Sequence, residues 1–200
     1  MDINIISSIV SVIGVILTIY FGFKALRLER EKKNLSWPQL QLIADATCFK
    51  LKRDDFVPDL IIAPGLRGAI LAELIVNKFN RNILAITGIS FMEFTHKPMP
   101  IIKGYMAFQI AKGWNIYIPS AINEFKNGKV LIVDDFCLTG EFFQLLRTYL
   151  VGLGFNSDNI KVFCSVITKV TKVAGRSPDY YNVVTDDDNF YFPWGKAHTG

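Results

Sequence analysis

The stretch VLIVDDFCLTGEFF, Val130 to Phe143, decides how this chain folds. Four apolar residues run into the adjacent carboxylates Asp134 and Asp135, then into a loop holding Thr139 and Gly140, and a helix-forming run begins at Glu141. An apolar run this short, without polar alternation and ending in turn residues, reads as a strand buried on both faces, which is the pattern of a parallel sheet. Its neighbours repeat the scheme. Leu60 to Ala63 is a short apolar strand, Pro64 to Gly68 a turn, and Ala69 to Phe79 a helix. Asn82 to Thr87 supplies a second strand, Lys129 to Val133 a third, Glu141 to Leu153 a helix, and Lys161 to Ile167 a fourth strand. Strands alternating with helices predict an α/β domain with a doubly wound, mainly parallel sheet.

Outward from that core, NLSWPQLQLIADATCFKLKRDDF places Ser36 as an N-cap ahead of Pro38, with Leu40, Ile43, Ala46 and Leu51 recurring at helical spacing, so an amphipathic helix opens the domain. Between Gly88 and Asn127 lies a long interval punctuated by Pro98, Pro100, Gly104, Gly113 and Pro119, which reads as a lid or hood over a site. No internal repeat or low-complexity segment appears.

The chain has 200 residues, 50% of them hydrophobic, and a net charge of +4. One compact domain plus an additional apolar segment accounts for this. That segment is INIISSIVSVIGVILTIYFGF, Ile3 to Phe23, with no charge between Asp2 and Lys24. Roughly twenty helical residues cross a hydrocarbon core of about 30 Å, so it reads as a transmembrane helix. A cleaved signal peptide would have a positive start and a shorter apolar core, and a helix apolar on every face has no solvent side in a soluble domain. Lys24, Arg27, Arg30, Lys32 and Lys33 outnumber Glu29 and Glu31, so the positive charge concentrates beside the membrane and that flank belongs on the cytoplasmic side. The organisation expected is a transmembrane helix over 1–24, a basic juxtamembrane linker over 25–35 and a domain over 36–200. The rest of the chain is nearly neutral, so its partners are anionic headgroups and not nucleic acid. Cys48, Cys137 and Cys164 are widely spaced, without zinc spacing, and read as reduced thiols in a cytoplasmic domain. His96 and His198 belong to no pattern.

In an open parallel sheet, ligands bind beyond the carboxyl ends of the strands, where APGLRGA and DDFCLTGE both lie. The second turn opens a helix, so its backbone N–H groups and helix dipole form a seat for a phosphate, which Gly140 lets approach and Thr139 supports with a hydroxyl. Two exposed carboxylates beside that seat repel unless a cation or ligand hydroxyls compensate. A ribose 5-phosphate with a magnesium-bound pyrophosphate meets all three demands.

VLIVDDFCLTGEFF resembles the phosphoribosyl-diphosphate (PRPP) signature of the type I phosphoribosyltransferases. PDLIIAPGLRGAILAELI resembles the family's pyrophosphate loop, LSWPQLQLIADA the first helix of its xanthine and hypoxanthine-guanine branch, and VFCSVITKVTKVAGRSPDYYNVVTDDDNFYFPW that branch's C-terminal hood. The likeness runs from about Leu35 to Trp194 and leaves out the apolar N-terminal segment. It implies transfer of phosphoribosyl from PRPP to a purine base, with pyrophosphate released and Mg2+ as cofactor. Asp134 and Asp135 would hold the ribose hydroxyls, directly or through the metal. Leu138, Thr139, Gly140, Glu141 and Phe142 would hold the 5-phosphate, chiefly by backbone groups. Arg67 and Gly68 would sit at the pyrophosphate, Lys169, with Lys172 nearby as its rival, at the 6-oxo group of the purine, and Phe190 either on the base or in the core, while Trp194 reads as packing.

Two departures matter. The purine branch commonly has an aspartate before Thr-Gly, where this chain has Leu138, and a second Thr or Ser closes its loop, where this chain has Phe142. A weakened nucleotide- or PRPP-binding sensor acting at the membrane is therefore the alternative to a transferase, with an N-glycosidic hydrolase as a third reading. The oligomeric state, including a homo-oligomer, is left open by the sequence.

Overall fold

The computed structural model describes residues 3–79, 82–86, 91–93, 102–111 and 114–197. Thr87, Gly88, His96, Pro98, Pro100, Gly113 and His198 lie outside the described residues.

Helix α1 (Ile3–Lys32) is a single 30-residue helix, a rise of about 45 Å at about 1.5 Å per residue. It includes most of the basic stretch after Phe23. Residues 11–28 are exposed throughout, and α1 is, among the described residues, the one helix long and apolar enough to cross a membrane. Helix α2 (Trp37–Arg53) has the opposite character. Its start is fixed by Gln39, whose Oε1 accepts from the Ser36 N–H and hydroxyl, both at 2.8 Å, and by Pro38, which sits where a helix has no use for an N–H donor. Leu40, Ile43, Ala44, Thr47, Cys48 and Leu51 are buried. Ala46, expected on that face, is exposed, because six residues at 100° each carry it to the far side from Leu40.

Strand β1 (Leu60–Ile62) is followed by helix α3 (Leu66–Val76) and strand β2 (Leu84–Ile86). The helix starts earlier than the sequence predicts, so Arg67 and Gly68 lie on its first turn and not in the preceding loop. Strands β3 (Phe91–Glu93), β4 (Tyr105–Ala111) and β5 (Trp114–Pro119) form an antiparallel sheet in the order β3-β5-β4, followed by a 3₁₀ turn over Ser120–Phe125. The interval expected to be loop thus contains a small sheet. It folds because Ile116, Ile118 and Ile122 reach an apolar core shared with Ile132, Leu146 and Cys164.

Strand β6 (Val130–Cys137) runs four residues beyond its predicted end, so the acidic pair is inside the strand. Then come helix α4 (Glu141–Gly152), strand β7 (Ile160–Thr168), helix α5 (Lys169–Val173), strand β8 (Tyr180–Thr185) and the short antiparallel pair β9 (Tyr191–Phe192) and β10 (Gly195–Lys196). The main sheet has the order β2-β1-β6-β7-β8, and every adjacent pair is parallel. The chain steps outward in one direction from β1 to β2 and in the other from β6 to β8. The crevice between the ends of β1 and β6 is therefore the switch point at which doubly wound sheets bind ligands. Two cores sandwich the sheet. One packs α2 and α3 on Ile61, Leu131 and Phe163; the other packs α4 on Ile62, Ile132 and Val162. Cys48, Cys137 and Cys164 are free, buried thiols. Burial raises all three, Cys48 to about 11, so none is a nucleophile at neutral pH.

Candidate functional site

The centre of the crevice is the acidic pair. Asp134 is half-buried, and Asp135 is only 4% exposed. Both are more enclosed than strand-end carboxylates facing solvent, because β6 carries them between β7 and the first turn of α3. Asp134 Oδ1 accepts from the Asp135 N–H at 2.9 Å. Asp135 Oδ2 accepts from the Trp194 indole N–H at 3.0 Å, and its carbonyl accepts from the Ser165 hydroxyl at 2.6 Å. Burial, then the charge of Asp135, holds the Asp134 carboxyl well above its ordinary value of 3.8. Burial raises Asp135 too, against the pull of the Trp194 hydrogen bond and the Arg67 charge.

The first turn of α3 faces this pair. A Cβ on Gly68 would lie 2.5 Å from the Val133 carbonyl oxygen and 3.1 Å from Asp134 Oδ1. Only glycine lets the helix rest on the strand this closely. Arg67 Nη1 donates to the carbonyls of Lys196 at 2.9 Å and Ala197 at 2.6 Å, so its guanidinium is tied to the C-terminal segment while its charge acts on both aspartates.

Across the crevice, the Leu138–Gly140 turn leads into α4. Gly140 has φ 78°, the left-handed region, and a Cβ there would meet the Arg176 carbonyl oxygen at 2.4 Å, so a side chain is excluded twice over. The Leu138 carbonyl accepts from the hydroxyls of Thr168 at 2.5 Å and Thr171 at 2.9 Å, which anchors the loop while the Leu138 side chain stays exposed. Thr139 Oγ1 accepts a long bond from the Glu141 N–H at 3.4 Å. Glu141 pairs with Arg176 at 2.6 Å, and the Phe142 ring lies 5.4 Å from that of Phe143.

The two expected base contacts are both engaged within the protein. Lys169 opens α5, is exposed, and forms an ion pair with Asp186. Phe190 is 3% exposed, with the rings of Phe192 at 5.3 Å and Phe136 at 6.4 Å. Of the two roles the sequence left open for it, base stacking and core packing, its surroundings match the core. The sequence did not reveal that Trp194 and Arg176 contact candidate site residues, Asp135 and Glu141. For Trp194 a signal existed, since a largely covered indole seeks an acceptor for its N–H; for Arg176 there was none.

Among the described residues no group of three or more His, Cys, Asp or Glu side chains could hold a metal. Two adjacent carboxylates with raised proton affinity do fit magnesium, which is commonly held by one or two carboxylates together with substrate phosphates.

No protein-family model matches this chain, and no curated protein matches it. Solved structures do. A purine phosphoribosyltransferase from Pyrococcus horikoshii Ot3 is 23% identical, with a TM-score of 0.60 over 84% of this chain and 96% of that one. An APRTase from Giardia lamblia complexed with 9-deazaadenine is 15% identical, with a TM-score of 0.53 over 74% of this chain and 80% of that one. A hypothetical protein from Neisseria gonorrhoeae with bound ppGpp is 16% identical, with a TM-score of 0.55 over 81% of this chain and 89% of that one. The fold of this chain is that of the purine phosphoribosyltransferases.

Proposed function

We propose that this chain is a membrane-anchored phosphoribosyltransferase that takes PRPP and magnesium at the β1/β6 crevice and moves the phosphoribosyl group to a purine base. The observation that carries this reading is a juxtaposition: the Asp134–Asp135 pair, the Arg67–Gly68 turn of α3 and the Leu138–Glu141 start of α4 converge on one switch point of the sheet. The neighbours with bound 9-deazaadenine and ppGpp support a purine ligand.

In this reading the backbone N–H groups at the start of α4 hold the 5-phosphate, and Asp134 and Asp135 orient the ribose hydroxyls. Arg67 exchanges the carbonyls of residues 196–197 for a diphosphate oxygen. Magnesium, when bound, neutralises diphosphate charge. The C1–O bond to diphosphate breaks with its electron pair leaving on oxygen, and a ring nitrogen of the purine supplies the pair for the new C1–N bond. Leu138 cannot accept the proton the base gives up, so diphosphate or water takes it, and turnover is slow for the fold. Lys169 reaches the purine 6-oxo group after leaving Asp186.

Helix α1 anchors the domain, and the basic flank puts it on the cytoplasmic side. The apolar, uncovered length of α1 supports this. Carbonate extraction should leave the full chain in the membrane fraction, and a reporter fused after Gly200 should be active only in the cytoplasm.

The test of the reaction is diphosphate release by the full chain in lipid nanodiscs, with PRPP, magnesium and each of hypoxanthine, guanine, xanthine and adenine. A base-dependent release establishes the transferase, and base release from a nucleotide without PRPP replaces it with a hydrolase. Binding of PRPP or a purine nucleotide without turnover establishes the second reading, a sensor, which the exposed Leu138 and the self-occupied Arg67 favour.

A further inference from the structure

Residues 190–197 form a short hairpin that touches both charged halves of the site. The Ala197 N–H donates to the Phe190 carbonyl at 2.8 Å and closes it. From one point it sends the Trp194 N–H to Asp135; from another it offers the Lys196 and Ala197 carbonyls to Arg67. The same hairpin is bound to the foot of α1. The Tyr191 N–H donates to the Lys33 carbonyl at 2.9 Å, and the Leu35 N–H donates to the Tyr191 carbonyl at 3.0 Å, which makes a parallel bridge between Asn34 and Tyr191. Lys33 Nζ lies 3.0 Å from Asp187 Oδ2 and adds an ion pair at the same place. These bonds begin one residue after α1 ends at Lys32.

The ring of Trp194 has little freedom. It stacks on Phe192, with centroids 5.0 Å apart and planes 4° from parallel, and it meets the edge of Trp37 at 5.7 Å, at the start of the helix that follows α1. Its N–H therefore goes where the 191–195 backbone and Trp37 put it, and both are set by residues 33–37. Asp135 is almost wholly buried, and a buried carboxylate without donors is costly, so its orientation is shared between the indole and its neighbours on β6, the Phe136 backbone and Asp134, with the indole the one partner that comes from another segment.

Resting on the ribose-phosphate reading above, we infer that Trp194 is a positioning residue for the acidic pair, and that its register is set from the foot of the membrane helix through the Lys33–Leu35 strap. Site occupancy and the exit of α1 are then one coupled unit: ordering Asp135 against a ribose orders the hairpin, and the hairpin orders the strap. A movement of α1 relative to the domain reaches the site along the same bonds in reverse.

The experiment uses the full chain in nanodiscs with Trp194→Phe, which keeps the stacked ring and removes the N–H. Loss of one charge-assisted hydrogen bond should weaken magnesium-dependent PRPP binding about tenfold. Binding of inorganic phosphate, which the α4 loop alone would take, should stay within about twofold of wild type by the same reasoning, since it does not reach the Asp134–Asp135 pair. Equal PRPP affinity in the two proteins overturns the positioning role, and so does an equal loss for PRPP and phosphate, which would mark a structural effect. The strap is read by hydrogen exchange at the Leu35 and Tyr191 amides. In wild type, PRPP with magnesium should slow exchange at both; in ligand-free Trp194→Phe, exchange at both should be faster than in ligand-free wild type. No ligand effect in wild type that binds PRPP, or no change in the ligand-free variant, overturns the coupling. If wild type binds no PRPP at all, the proposed function falls, while the ligand-free comparison still decides whether site and strap are linked. If Trp194→Phe does not fold, the wild-type exchange with and without PRPP decides alone.

Discussion

The two strand-end turns of the main sheet lie on opposite sides of one crevice and differ in what fills them. The turn after β1 is closed by the protein itself: Gly68 lies against the β6 backbone, and Arg67 is bound to carbonyls from the far end of the chain. The turn after β6 is held from beneath, by Thr168 and Thr171 on the Leu138 carbonyl, and at its helix end by Arg176 on Glu141, and it presents Leu138 to solvent. In the proposed reading, the closed turn would act by releasing the carbonyls on Arg67 and the open one by receiving a phosphate. The acidic pair lies between them with its carboxyls enclosed and their proton affinity raised, and in that reading it is where the two turns meet.

The comparison fails at once if the acidic pair is not the meeting point. Asp134→Asn with Asp135→Asn should lower magnesium-dependent PRPP affinity by at least about a hundredfold. Circular dichroism should stay native, since the side-chain amide introduced at position 135 can still accept the Trp194 N–H through its oxygen. Unchanged affinity in a titration calorimeter would move the site elsewhere. The closed turn is tested by Gly68→Ala. Its methyl group would press on the Val133 carbonyl, where backbone cannot give way, and overpacking of this kind costs about 2–3 kcal/mol. Denaturant unfolding measures it, and a loss under about 0.5 kcal/mol, the ordinary surface value, would show that α3 can slide off β6.

The open turn is sharpened by restoring what the family pattern has there. Leu138→Asp with Phe142→Thr should raise diphosphate release about tenfold or more if the scaffold is a weakened transferase, with each single variant measured because neighbours on one loop couple. Release that stays absent while PRPP still binds would leave the sensor reading. The smallest effect concerns pH. Both carboxyls have a higher proton affinity folded than unfolded, so protonation stabilises the ligand-free fold. That contribution is complete below the ordinary carboxylate value of 3.8 and is lost as pH rises through the raised folded values. Asp134→Asn removes a charge that is unfavourable near neutrality, and should raise the ligand-free melting temperature by about 2–4 °C at pH 8 and by less at pH 5. A lower melting temperature at pH 8 would mean that the carboxylate is already compensated.

Helix α1, the parallel strands and the position of the acidic pair were legible in the sequence because each rests on a local pattern. An uncharged run of helix length, apolar strands of fixed period and turn residues at strand ends all act over a few neighbours. The pattern also located the loop from Leu138 to Glu141, with Gly140 at the positive φ that only glycine takes without strain. The partners of those residues were beyond its reach. That the strand continues through Asp134 and Asp135 depends on β7 extending beside it. That Arg67 binds residues 196 and 197, that Phe190 packs on Phe136, and that Trp194 donates to Asp135 depend on contacts between segments 54 to 130 residues apart. Such contacts are selected by packing and by the need to satisfy buried polar groups, not by spacing along the chain. The sequence alone therefore determined the strands and helices of the main sheet and where along the chain the acidic pair falls; the tertiary structure alone decided that residues 91–119 contribute a sheet of their own, which charges are enclosed and which are already bound.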